Sequence, residues 1–374
     1  DNIIKLKEYL KQEKEPKQKL HHGCFSPYKC AYWEYCSNEL PEKNIFLINK
    51  LNEDSKLKYY EQGLLSYEDL EDTNLGLRYK QQVEVELTND LIIQKENLRN
   101  FLKNFSYPLY FLDFESYNIP IPEFDGTKPY EQIPFQYSIH YYESRISKLQ
   151  HLEYLSKSGI DPRRKLAENL VKAIPENACV VVYNSSFEKT IIKKLADAFP
   201  DLAEKLLAIN EKIVDLMTPF IKRWYYCKEM EGSYSIKYVL PALFPSELEL
   251  NYNNLELIHN GQEVSSAFLK LDNYNKKEQE KIREKMLKYC SLDTFAMVKI
   301  FKKLNSVVKG EKRMEYKKIF KQLDEWKSFP EYQLERRLDI FIAMCLPEIL
   351  KCYGYNKKMN EIIPEFPIKS NNSN

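Results

Sequence analysis

The chain has 374 residues, of which 43% are apolar and 13% aromatic, and its 56 Lys and Arg nearly cancel 55 Asp and Glu, for a formal charge of +1. That length accommodates two or three domains with packed cores, and the neutral balance requires that any nucleic-acid partner be held by a local patch rather than by global charge. The nine glycines form neither G-x-x-x-x-G-K-[ST] nor G-x-G-x-x-G, which excludes the glycine-rich nucleotide loops.

The chain opens on Asp1 rather than Met, as expected of a fragment or processed product with something upstream. No signal-peptide pattern follows and no apolar run approaches a membrane span. The eight cysteines are scattered, which suits reduced thiols and a cytoplasmic setting. Residues 1–20 are Lys- and Glu-rich, with Ile4, Leu6, Tyr9 and Leu10 at helical spacing, and read as a solvated helix. Next comes a segment rich in Cys and aromatics, with Cys24, Cys30 and Cys36 at equal intervals. Three such thiols could serve zinc or an iron–sulfur cluster, with His21 or His22 as a fourth ligand, or could pack as buried sulfur among Tyr and Trp. Helices are predicted over 59–70 and 91–105. Residues 1–105 thus read as a small helical, cysteine-containing region.

From Tyr107 the pattern shifts to strands. They are predicted at 108–114, 135–142, 149–154, 178–183 and 212–215, with helices at 162–174 and from 185 through 198. This order describes an α/β fold, a mixed sheet with helices on its faces, over 106–308. Residues 309–355 read as C-terminal helices and 356–374 as a flexible tail.

Three short stretches carry chemistry. In Tyr110-Phe111-Leu112-Asp113-Phe114-Glu115, strand alternation puts Asp113 and Glu115 on one face. Neighbouring carboxylates repel and raise each other's pKa, a cost that a hard divalent cation reverses; two solvated acids on an edge strand are the plain alternative. In Asn184-Ser185-Ser186-Phe187-Glu188, at a strand–helix junction, Ser185 or Ser186 is the expected N-cap. Glu188 there either complements the helix dipole or reaches the first two acids. In the helix predicted over 278–303, Tyr289 and Asp293 lie one turn apart on a single face.

Together these stretches resemble the DEDD superfamily of 3′–5′ exonucleases with a ribonuclease H-like fold, in its tyrosine variant. The superfamily pattern is Asp-x-Glu on the first strand, Asn-x-x-Phe-Asp at a later junction, and Tyr-x-x-x-Asp on a final helix. Asp113-Phe114-Glu115 and Tyr289-Cys290-Ser291-Leu292-Asp293 match it, while Glu188 stands where the superfamily has Asp. With Phe124-Asp125-Gly126-Thr127-Lys128-Pro129-Tyr130 and Ile133-Pro134-Phe135-Gln136-Tyr137-Ser138, the chain also resembles a bacterial family designated DUF2779. The cysteine segment is similar to the cysteine-bearing tail of RecB-like nucleases, whose first cluster cysteine lies far upstream, which implies an upstream nuclease region or partner protein.

The resemblance implies a five-stranded mixed sheet and two Mg²⁺ or Mn²⁺ ions, with Asp113 bridging, Glu115 and Asp293 on one ion and Glu188 on the other. Asp215 is a reserve ligand and Tyr289 orients the attacking water. The implied partner is single-stranded DNA or RNA. Asn184 and Phe187, and Tyr234 and Lys237 in Gly232-Ser233-Tyr234-Ser235-Ile236-Lys237-Tyr238, are its candidate contacts. Residues 270–327 carry 17 Lys and Arg against 9 Asp and Glu, enough to track a phosphate backbone or simply to solvate a helical face. Two competing readings are a catalytically inactive module of the same fold that binds nucleic acid or a protein, and a metal-stapled adaptor built on residues 1–105.

Overall fold

A computed structural model of the chain describes residues 2–14, 19–247, 250 and 260–309, all within one compact unit, Asp1–Gly310. The helices and tail expected over 309–374 lie outside the described residues, except for position 309.

Helix α1 (Asn2–Tyr9) buries none of its residues, as a solvated helix should, and ends before residues 10–14; residues 15–18 of the stretch expected as helix lie outside the described residues. Helix α2 (Trp33–Cys36) follows, and then α3 (Glu53–Glu61), whose start is capped by the Asn52 side chain accepting the Ser55 N–H. The helix expected across 59–70 is broken. Gly63 takes φ +77°, and Ser66 opens a new helix, α4 (Tyr67–Leu70), through a reciprocal cap with Asp69. Helix α5 (Leu77–Thr88) falls within the stretch read as helical, though without bounds of its own, and ends on Asn89 at φ +58°. Ile45, Ile48, Leu51, Tyr67, Leu70, Leu75 and Val83 form a small core of their own here.

Strand β1 (Ile92–Ile93) pairs with Tyr225 and Tyr226, so the helix expected over 91–105 is the shorter α6 (Lys95–Leu102). The sheet is built from β2 (Leu109–Tyr117), β3 (Ile133–Tyr142), β4 (Gln150–Leu155), β5 (Cys179–Val182) and β6 (Ile213–Asp215). Between them run α7 (Arg163–Ala173), α8 (Ser185–Ala198) and α9 (Pro200–Glu211). Beyond lie α10 (Thr218–Ile221), β7 (Tyr225–Tyr226), α11 (Ile236–Leu243), α12 (Gly261–Leu269) and α13 (Lys276–Lys309).

The five strands lie in the order β4-β3-β2-β5-β6. β2 pairs antiparallel with β3 and parallel with β5, and β5 pairs parallel with β6, so the mixed sheet turns from one mode to the other at β2. The β2–β3 register shifts between Glu115 and Ser116, where Pro134 stands opposite and has no N–H to give the ladder.

Alternation along β2 divides the core. Tyr110, Leu112 and Phe114 pack with Leu166, Ile191, Ile192 and Leu195 of α7 and α8 on one face. Leu109, Phe111 and Tyr117 join Leu240, Phe268, Met297 and Phe301 on the other, under α11, α12 and α13. Asp113 and Glu115 have the parity of this second set, so the carboxyls point towards α13.

Polar bonds pin α13 across the sheet. Gln136 Nε2 donates to Met286 O at 2.9 Å. Thr294 Oγ1 lies 2.9 Å from Ser138 Oγ and 2.8 Å from His140 Nδ1. The Arg283 guanidinium donates to Leu155 O, the last residue of β4, and to Ser156 O just after it. A helix tied at these points along its length has one register against β2, and that register delivers Tyr289, Cys290 and Asp293 to the acids.

Candidate metal centre

Strand β5 pairs with β2 only as far as Phe111, after which its chain turns into α8 while β2 runs on to Tyr117. Asp113 therefore sits just past the carboxyl end of β5, the kind of crevice in which open α/β sheets take ligands. The turn is made by Asn184 at φ +78°, a backbone state that Asn tolerates better than most residues.

The expected serine cap is absent at this turn. Asn184 holds the cap position without a side-chain cap bond, and Ser185 is already helical. The carboxylate of Asp215, at the end of β6, supplies the missing acceptor. It takes the N–H of Asn184 at 3.1 Å, of Ser185 at 2.9 Å and of Met217 at 2.9 Å. Asp215 thus works as a helix cap delivered from a neighbouring strand, its two oxygens engaged by these three N–H groups.

That cap sets the first turn of α8, where Glu188 is 2% exposed and its Oε2 has no hydrogen-bond partner among the described residues. Burial pushes the Glu188 carboxyl up to about 8, and Asp215 adds to the rise. Asp113 carries the strongest crowding. Burial first, then Asp293, Glu115 and Glu188, raise its carboxyl well above the ordinary range. Burial and then Asp293 do the same to Glu115, while the Lys237 ammonium acts in the opposite direction. The carboxylates from β2, α8 and α13 are therefore brought together, as the three motifs anticipated.

Tyr289 is buried beside them. Burial and the charges of Asp293, Glu115 and Asp113 drive its phenol far above the usual tyrosine range, so the hydroxyl keeps its proton. Cys290, whose place beside Asp293 carries no role in the sequence pattern, is fully buried with Sγ 3.6 Å from Asp113 Oδ2. Among the described residues, Asp113, Glu115 and Cys290 form a group whose ligand atoms all lie within 4.8 Å of one another. Its signal was legible: Cys290 precedes Asp293 by three positions, hence shares its helical face.

The expected nucleic-acid contacts surround this centre unequally. Lys237, exposed in the first turn of α11, is close enough to act on Glu115. Phe187 lies half-buried at the edge of a cleft of about 520 Å³, shared with Glu115, Ser116, Gly261, Gln262 and Ser265. Asn184 is exposed and its Oδ1 accepts the Ser186 hydroxyl. Tyr234 is tied down: its ring lies 4.7 Å beneath the Arg78 guanidinium and its carbonyl accepts the Tyr183 hydroxyl at 2.7 Å. Of the basic stretch 270–327, Lys276, Lys277, Lys281 and Lys288 of α13 are exposed, Arg283 is engaged with β4, and 310–327 fall outside the described residues.

The N-terminal cysteines are all free thiols, with Cys24 and Cys30 half-buried and Cys36 exposed. Cys30 N–H bonds Cys24 O, but among the described residues these three do not assemble into a ligand group as Asp113, Glu115 and Cys290 do. His21 accepts the Gly23 N–H and His22 meets Asp54 at 3.2 Å. Phe25, Trp33, Phe46 and Tyr60 supply the local packing. No helix among the described residues is long and apolar enough to cross a membrane.

Residues 110–235 match the family described as "Domain of unknown function (DUF2779)". The matched stretch holds Asp113, Glu115, Glu188 and Asp215 and stops short of Tyr289 and Asp293. An uncharacterized protein of Mycoplasma genitalium is 28% identical over 230 residues, covering 53% of this chain and 32% of its own. The chain thus spans about a third of that relative's length. No solved structure matches it.

Proposed function

We propose that the chain is a metal-dependent nuclease of the DEDD type, built on a ribonuclease H-like sheet and hydrolysing phosphodiester bonds of single-stranded DNA or RNA from the 3′ end. The observation that carries this reading is the crowding at Asp113, whose carboxyl is raised by burial and then by Asp293, Glu115 and Glu188, while Glu188 Oε2 is buried with no hydrogen-bond partner among the described residues. Such a set is unfavourable in the protein alone and favourable around hard cations, which require oxygen donors. A mixed sheet covered by helices on both faces, with its acids on the central strand and the last described helix, is the arrangement this reading requires.

Asp113, Glu115 and Asp293 would hold one ion, and Asp113 with Glu188 the other. Mg²⁺ or Mn²⁺ fits this oxygen-rich set, and a bound pair would supply an activated water and neutralise charge on the phosphoryl group. The chain's own groups do the rest. Tyr289, with its proton retained, is suited to donate a hydrogen bond that orients the water and is unsuited to remove a proton. Lys237 offers a cation at the rim, and Phe187 an apolar edge against which a terminal base can rest.

The test uses single strands labelled at either end, with Mg²⁺ or Mn²⁺. Laddering from the 3′ end, lost with EDTA and in Asp113→Ala, is the expected result. Binding without cleavage overturns the hydrolytic reading in favour of an inactive binding module of the same fold.

A further inference from the structure

We infer that Cys290 makes this centre a mixed oxygen–sulfur site, so that Asp113, Glu115 and Cys290 together bind a thiophilic divalent cation, Zn²⁺ or Cd²⁺, in competition with the hard ions. The inference rests on the cation site proposed above but not on the hydrolysis.

The geometry carries it. A tetrahedral ion with sulfur at about 2.3 Å and carboxylate oxygen at about 2.1 Å holds those two donors about 3.6 Å apart. Cys290 Sγ and Asp113 Oδ2 are separated by 3.6 Å, and the Glu115 oxygen completes a set within 4.8 Å. A buried cysteine ordinarily faces apolar neighbours, where it behaves as a small hydrophobe. Cys290, 0% exposed, instead faces the Asp113 carboxyl, on which the buried Glu188, its Oε2 without a hydrogen-bond partner among the described residues, also acts. A sulfur donor discriminates: Mg²⁺ gains nothing from it, whereas Zn²⁺ and Cd²⁺ bind thiolate more strongly than carboxylate.

Binding breaks the Sγ–H bond, sends the proton to solvent and forms an Sγ–metal bond, with no change of oxidation state. The resulting ion shares Asp113 and Glu115 with the hard ions, so the two classes cannot occupy the centre together. Zn²⁺ at low concentration is then an inhibitor of any activity that Mg²⁺ supports.

The experiment is a Cd²⁺ titration of the full chain, followed by the ultraviolet sulfur-to-cadmium charge-transfer band. The chain has eight cysteines, so the band is read as a difference between wild type and Cys290→Ser. The tightest equivalent should disappear in Cys290→Ser, with Cd²⁺ affinity lowered about 10- to 100-fold, while Mn²⁺ binding followed by electron paramagnetic resonance stays within about threefold. In wild type, excess Mn²⁺ should erase that same band. Cys290→Ala replaces the serine variant if the latter fails to melt cooperatively.

A band unchanged in either variant, or untouched by Mn²⁺ in wild type, overturns the inference. A protein that binds Cd²⁺ through Cys290 but cuts no strand loses the nuclease reading and keeps this one. A protein that cuts strands without a Cys290-dependent band does the reverse.

Discussion

Asp215 Oδ2 accepts the Ser185 N–H at 2.9 Å, so a residue at the end of one strand caps the helix that leaves its neighbour. The same carboxylate takes two further backbone N–H groups, from Asn184 and Met217. Asp215→Ala leaves those donors without their acceptor and should destabilise the protein by about 1–2 kcal/mol, the range for a lost N-cap. Hydrogen exchange at Asn184, Ser185 and Met217 should quicken before that of the β2 amides. Unchanged exchange at these three would contradict the capping role.

The pH dependence of the metal-free protein has a defined sign. The Glu188 carboxyl stays protonated up to about 8, against an ordinary 4.5. Between those values the folded protein binds a proton that the unfolded chain has released, so stability is greatest at the acid end and falls as pH rises through the window. One such group contributes a slope of at most about 1.4 kcal/mol per pH unit. Asp113 and Glu115, also raised, act with the same sign. With EDTA present, Tm should be lower at pH 8 than at pH 6, and Glu188→Gln should flatten the difference. A metal-free Tm that climbs from pH 6 to pH 8 would be inconsistent with this account.

Asp113 is where function and stability oppose each other. Asp113→Asn removes the titrating group on which three other carboxyls act and keeps the side-chain volume. Tm of the metal-free protein should rise by about 2–4 °C, corresponding to about 1 kcal/mol. Mn²⁺-induced stabilisation should vanish in the same variant, since a bound ion stabilises only by its affinity for the folded state. Calorimetry with and without Mn²⁺ measures both effects, and a destabilised variant that still gains from Mn²⁺ would refute both.

Tyr289 is assigned to orientation because burial, and then the charges of Asp293, Glu115 and Asp113, raise its phenol above the usual tyrosine range. Tyr289→Phe should slow strand cleavage about 10- to 100-fold and leave Mn²⁺ affinity unchanged. The pH–rate profile should keep its shape in the variant. Loss of an alkaline limb on substitution would mean that the phenol titrates during catalysis.

Thr294 bonds both Ser138 and His140 while fully buried. Thr294→Val keeps the volume but strips two polar groups of a partner, at a cost of about 1–3 kcal/mol in chemical denaturation. Because the adjacent Asp293 depends on the seating of α13, metal affinity should weaken as well. A variant of native stability would show that this network does not fix the helix.

Much of the centre was legible because its parts obey short periods. Alternation along β2 placed Asp113 and Glu115 on one face, and helical spacing placed Tyr289 beside Asp293; both are local rules that one segment satisfies alone. The strands and the helices at 163–173 and 185–198 were read to within a few residues for the same reason. The break at Gly63 escaped notice because local turn chemistry and the small core around Tyr67 outweigh a continuous periodic pattern.

What the sequence by itself determined is which residues share a face of their own strand or helix, and therefore that Asp113 stands with Glu115 and Tyr289 with Asp293. Only the tertiary structure decided which pairs meet. Asp215 reaches α8 across the β5–β6 ladder, and Cys290 meets an aspartate 177 positions earlier because bonds to β3 and β4 set the register of α13. Contacts of that kind depend on how separate elements pack, and no repeat within one segment encodes them.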